Sequence, residues 1–143
     1  MLHPVEYARA VVPRGISSVV TDLHEIANVT GLKGIRYLMD CTQPLPMDFY
    51  FMAPSCVPAT HLETSGSEIG VKCPRTSLSW KNIIGLGELM NYPGVLSQDQ
   101  EVMSKIRLCR GKLVDGHAPG LGGKDLNAYL AAGIGSDHES TTF

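Results

Sequence analysis

The chain has 143 residues, with 12 Lys and Arg against 14 Asp and Glu, a formal net charge of −2 and 43% hydrophobic residues. With a mean hydropathy of +0.02, this balance excludes a disordered chain, and the length suits one domain. No basic excess is available to neutralise phosphates, and aromatics at 6% leave no base-stacking platform, so nucleic-acid binding is not expected.

In chain order, Val5 to Val12 suits a helix ended by Pro13-Arg14-Gly15. Ile16 to Thr21 is a β-branched run of strand length. Ile26 to Asp40 carries apolar residues at Ile26, Val29, Ile35, Leu38 and Met39, and its second half reads as a helix. Asp48 to Met52 is a short aromatic strand, and Pro54 to Ser67 is loop. Gly70 to Ser79 stands where an alternating pattern expects a helix, but its Gly, Pro and Ser/Thr content opposes one. Ile83 to Leu86 is a buried-type strand. Gln98 to Arg110 is an amphipathic helix with Val102, Ile106 and Cys109 on one face and Asp99 and Glu101 in its first turn. Leu113 to Asp115 is a short strand, Lys124 to Ala132 a helix closed by Gly133, and Ile134 to His138 a last strand. Strands alternating with helices imply crossover connections and a parallel sheet, so the expected class is α/β.

No run approaches the roughly 18 apolar residues of a membrane span. The N-terminus lacks a basic stretch followed by an apolar core. The expectation is therefore a cytoplasmic protein without a membrane partner. Cys41, Cys56, Cys73 and Cys109 are spaced by 15, 17 and 36, which fits no zinc or redox motif; small buried hydrophobes are the simpler reading. Gly85-Leu86-Gly87 lacks the third glycine of a dinucleotide fingerprint. Gly120-Leu121-Gly122-Gly123-Lys124 is followed by Asp125 where a phosphate loop needs Ser or Thr.

One regularity points to chemistry. Almost every expected strand runs into ionisable residues: Asp22, His24 and Glu25; then Glu88; then Asp115 and His117; then Asp137, His138 and Glu139. Parallel strands place their C-terminal ends on one edge, where α/β enzymes build their sites. Imidazoles and carboxylates converging there suit a divalent metal such as Zn, Mn or Fe, with Glu88 able to bridge two ions and His117 and His138 each giving a nitrogen. Plainer readings exist. A lone His is more often structural than a ligand, His24 could orient the helix after it, Asp22 could cap that helix, and Asp115 and Asp137 could form turns. His3 and His61 lie off the strand ends and receive no role.

The segments Asp22–Val29 (D-L-H-E-I-A-N-V), Pro54–Thr60 (P-S-C-V-P-A-T), Glu63–Gly66 (E-T-S-G), Gly85–Asn91 (G-L-G-E-L-M-N), Asp115–Gly120 (D-G-H-A-P-G) and Ser136–Glu139 (S-D-H-E) resemble the bacterial adenine deaminases of the metal-dependent amidohydrolase superfamily. They occur in the right order along nearly the whole chain. The resemblance implies a (β/α)8 TIM-type barrel with a binuclear metal centre, Mn first and Fe or Zn as alternatives. It implies conversion of adenine to hypoxanthine and ammonia by attack of metal-bound hydroxide at purine C6. On this analogy Glu88 bridges the metals, His117 and His138 are ligands at the ends of barrel strands five and six, and Asp22 and His24 serve near the reacting centre. Ser55 and Cys56 read as structural loop.

The departures define further expectations. The family's His-x-His pair would precede Met1, its strand-eight aspartate would follow Phe143, and its smaller β-domain has no counterpart here. Leu23 stands where the family usually has Pro, and Gly70 to Lys81 replaces a plain amphipathic helix. Residues 1–143 are thus expected to form a partial barrel of about strands two to six, incomplete for catalysis alone and able to form homo-oligomers as the family tends to. The alternatives are a catalytically inactive remnant with weak metal binding, or an amidohydrolase acting on another cyclic amine or amide.

Overall fold

A computed structural model describes residues 2–59, 62–70 and 76–139. Helix α1 (Pro4–Val11) leads through a 3-10 turn (Val12–Arg14) to strand β1 (Ser18–Asp22). Helices α2 (His24–Thr30) and α3 (Leu32–Thr42) precede β2 (Asp48–Pro54) and β3 (Ile83–Leu89). Helices α4 (Tyr92–Leu96) and α5 (Gln100–Leu108) precede β4 (Leu113–Gly116), and α6 (Gly123–Ala131) precedes β5 (Ser136–Asp137). The strands form one sheet in the order β1-β2-β3-β4-β5, every pair parallel. It is a curled half-barrel, the α/β partial-barrel class expected from the sequence.

Registry separates the two faces. Asp22 pairs with Met52, Met52 with Gly85, and Gly85 with Leu113, so these share the face that also carries Asp115 two residues on. Val20, Tyr50 and Leu113 on this face are exposed. The opposite face carries Phe49, Phe51, Ala53, Ile83, Leu86 and Val114, all buried in one apolar cluster with Ala27, Ile35, Leu38, Val102, Ile106 and Tyr129 from the helices. Burial of this second face is what fixes the register, because a slip of one residue would exchange the two faces.

Several expected elements move. The long stretch from Ile26 is two helices, broken at Gly31, whose φ of +62° is disfavoured for other residues. The helix expected from Gln98 begins later, because Asp99 is its N-cap: the carboxylate accepts from the Glu101 and Val102 N–H groups, each at 3.0 Å. The short helix α4 before it has its own cap, Asn91, which accepts from Gly94 N–H. Pro54 ends β2 rather than opening the loop, and β3 runs on through Glu88 to Leu89. Residues 71–75 of the ambiguous stretch from Gly70 to Ser79, Cys73 among them, and His61 lie outside the described residues. His3 caps α1, accepting from Val5 N–H. Among the described residues no helix is long and apolar enough to cross a membrane.

Candidate active site

The five residues singled out from the sequence stand together at the C-terminal edge of the sheet. Asp22 ends β1, and its Oδ1 accepts from the His24 backbone N–H at 2.7 Å and lies 3.0 Å from His24 Nδ1. Leu23 holds the N-cap position of α2, but Asp22 accepts from that helix's first N–H and so fixes both the backbone and the ring of His24. His24 Nδ1 is also 2.7 Å from Glu88 Oε2. On the other side His138 Nε2 is 3.4 Å from Glu88 Oε1 and 3.4 Å from His117 Nδ1. Glu88 therefore joins an Asp22–His24 bank to a His117–His138 bank.

The position of Glu88 is a backbone irregularity. Leu86 pairs with Val114 and Leu89 with Gly116, so β3 spends one residue more than β4 over the same span. Strict alternation would send Glu88 to the helix side with Leu86. The extra residue instead takes φ of +43° and turns the carboxylate to the site. Gly87 is needed beside it: a Cβ there would lie 2.1 Å from Asp22 Oδ2 and 2.6 Å from Met52 Cβ.

Asp115 orients the His138 ring of the other bank. Asp115 Oδ2 is 2.7 Å from His138 Nδ1, and Asp115 Oδ1 accepts from the Ser136 hydroxyl at 2.6 Å. This carboxylate fixes the ring so that Nε2 faces Glu88 and His117, an arrangement that also prepares imidazole for a metal. Asp137 is a loop former, accepting from Ala118 and Glu139 N–H groups. The sequence places Asp115 at a strand end with the other ionisable residues and leaves a turn as the plainer alternative; the structure sets it on β4 against His138.

The electrostatics follow from this packing. The Asp22 hydrogen bond is the largest effect on His24; burial opposes it, but Asp22 and Glu88 charges add to it and the imidazole pKa is raised to about 9. Burial, then the charge of Asp22, raises the Glu88 carboxyl above its ordinary value. Burial opposes protonation of His138, but the Asp115 hydrogen bond and the Asp115 and Glu88 charges outweigh it and the pKa is raised. The buried Tyr129 phenol is pushed up to about 12 by burial, so its hydroxyl keeps its proton at any ordinary pH.

The donor set fits a divalent cation. Asp22 Oδ2 is buried with no hydrogen-bond partner among the described residues. His117 Nδ1 and His138 Nε2 face each other at 3.4 Å, where both cannot carry protons, so a lone pair is directed into the site. Asp22, His24 and Glu88 form one group able to converge on an ion, and His117, His138 and Glu139 another. A separate cavity of about 360 Å³ lies between Cys56 to Ala59, Asn91 and Lys105, and none of the five site residues lines it.

The whole chain, residues 1–143, matches the pattern of the Amidohydrolase family. The chain belongs to this family. Membership implies a divalent metal. The chain is 56% identical over 143 residues to a protein named adenine deaminase from Methanothrix thermoacetophila, covering 99% of this chain and 25% of that relative. It is 54% identical to the adenine deaminase of Archaeoglobus fulgidus, covering 100% of this chain and 25% of the relative. It is 51% identical to adenine deaminase 2 of Carboxydothermus hydrogenoformans, with 99% and 25% covered. This amidohydrolase chain thus spans about a quarter of the length of the curated relatives it matches.

Proposed function

We propose that the native full-length polypeptide carrying this chain converts adenine and water to hypoxanthine and ammonia. The observation that carries the reading is the position of Glu88, with Oε2 against His24 and Oε1 against His138, in a chain more than half identical to named adenine deaminases. Glu88, His117 and His138 would hold a binuclear divalent centre, Mn first and Fe or Zn with the same donors. Bound there, such a centre would acidify water near neutral pH and so supply the nucleophile.

The protein's own part is positioning and proton transfer. The oxygen adds at purine C6 and the bond from C6 to the exocyclic nitrogen breaks. One proton of water ends on ammonia and the other on the ring nitrogen of the lactam. Asp22 and Glu88 favour a protonated His24 imidazole, so it would deliver a proton to the departing amine as a general acid and regain one from the attacking water. Asp22 would hold the imidazolium in place through Oδ1. The five strands 18–137 are proposed to supply one part of the site, and to turn over poorly by themselves.

The test is hypoxanthine formation and ammonia release by the native full-length polypeptide loaded with Mn2+. One ammonia per adenine consumed is expected. No turnover with Mn2+, Fe2+ or Zn2+ loaded in turn would refute the reading.

A further inference from the structure

We propose that Ser55 and Tyr129 are positioning residues for this site: their hydroxyls hold the bulge that aims Glu88 and tie it to the backbone of His117. The inference rests on the reading of Glu88 and His117 as metal ligands. Glu88 lies where the β3–β4 ladder loses its regular register and where a non-glycine residue stands at positive φ. Such a backbone persists only when its surroundings over-determine it.

Two side chains from opposite sides do so. The Ser55 hydroxyl, just past β2, donates to the Glu88 carbonyl at 2.7 Å. Cys56 Sγ lies 3.3 Å away, but the carbonyl oxygen is the better acceptor for the single proton. The Tyr129 hydroxyl, on α6, donates to the Leu89 carbonyl at 2.8 Å and accepts from the His117 N–H at 3.3 Å. Two consecutive carbonyls of the bulge are thus held by two hydroxyls. One of those hydroxyls also links the bulge to the backbone of the next site residue.

Both side chains are committed to this task. Ser55 is 1% exposed and Tyr129 0% exposed. The phenol reaches the carbonyl past Gly116, where a Cβ would stand 2.7 Å from the Tyr129 oxygen and 2.9 Å from the Ser136 carbonyl. A tyrosine used only for packing would need neither the cleared glycine nor the paired contacts. With both hydroxyls present, the Glu88 and His117 side chains are set relative to each other before a metal arrives.

Ser55→Ala and Tyr129→Phe remove the hydroxyls and keep most of the packing. Each is made in the native full-length polypeptide, beside Ser55→Thr, which keeps the hydroxyl, and Glu88→Gln. The readouts are Mn2+ affinity, the visible spectrum of bound Co2+, and Tm of the metal-free form. Ser55→Ala and Tyr129→Phe should each weaken Mn2+ binding about tenfold and shift the Co2+ bands. Metal-free Tm should move by about 4 °C or less, and Ser55→Thr should recover affinity. Unchanged Mn2+ affinity and Co2+ bands would overturn the proposal, as would loss of folding in both hydroxyl variants, because either result confines the hydroxyls to fold stability. Undiminished Mn2+ binding by Glu88→Gln would instead overturn the ligand reading on which the proposal rests.

Discussion

The two banks flanking Glu88 hold the same kinds of residue in opposite arrangements. In the β1 bank one nitrogen, His24 Nδ1, faces two carboxylate oxygens, Asp22 Oδ1 and Glu88 Oε2. In the β4–β5 bank Asp115 takes His138 Nδ1, and the other nitrogen of that ring is turned to His117 and Glu88. Under the proposed function the first geometry would hold a proton on imidazole and the second would turn a nitrogen lone pair to a cation, one side chain given two chemistries by where its carboxylate stands.

The largest expected effect comes from the residue common to both banks. Glu88→Gln keeps the size but removes the charge, and should abolish metal loading and adenine turnover together, read by metal analysis and ammonia release. The comparison is sharpened by His24→Gln. If that bank supplies the proton, kcat should fall about 100-fold while bound metal stays near its normal amount; loss of metal would merge the two banks into one. Asp115→Asn should act on the other bank alone. It weakens the orientation of His138 and should lower metal affinity about tenfold, measured by competition with a chelator.

The smallest effect is on stability. Folding raises the His24 pKa from 6.5 to about 9, so the folded state binds that proton more tightly. The resulting stabilisation is complete below about pH 6.5 and is lost as pH rises towards 9. Metal-free protein should therefore lose Tm across this window, and His24→Gln should flatten that part of the profile.

The sequence shows the outline of this site and hides its mechanics. Strands Ser18–Asp22 and Leu113–Gly116 are visible as short β-rich runs that lead into Asp22 and His24 and into Asp115 and His117. That pattern alone brings Asp22, His24, His117 and His138 to one edge. Glu88 is found in the sequence only by ending its strand at Leu86; the strand runs on to Leu89, periodicity then places Glu88 on the helix side, and one extra residue in the ladder reverses that. The roles of Ser55 and Tyr129 are equally hidden. Each acts through a backbone carbonyl more than 30 residues away in the chain, and a tyrosine in an amphipathic helix looks like any packed aromatic. Helix α4 has only five residues, too few to show a helical period, and its Pro93 stands in the first turn, where proline is tolerated.

The most direct test is side-chain 15N NMR of the histidines in the native full-length polypeptide, with and without Zn2+. Metal-ligation shifts are expected at His117 and His138, with His24 showing no metal-bound signature. A zinc signature at His24, or none at His117 and His138, would contradict the division of the site into two banks.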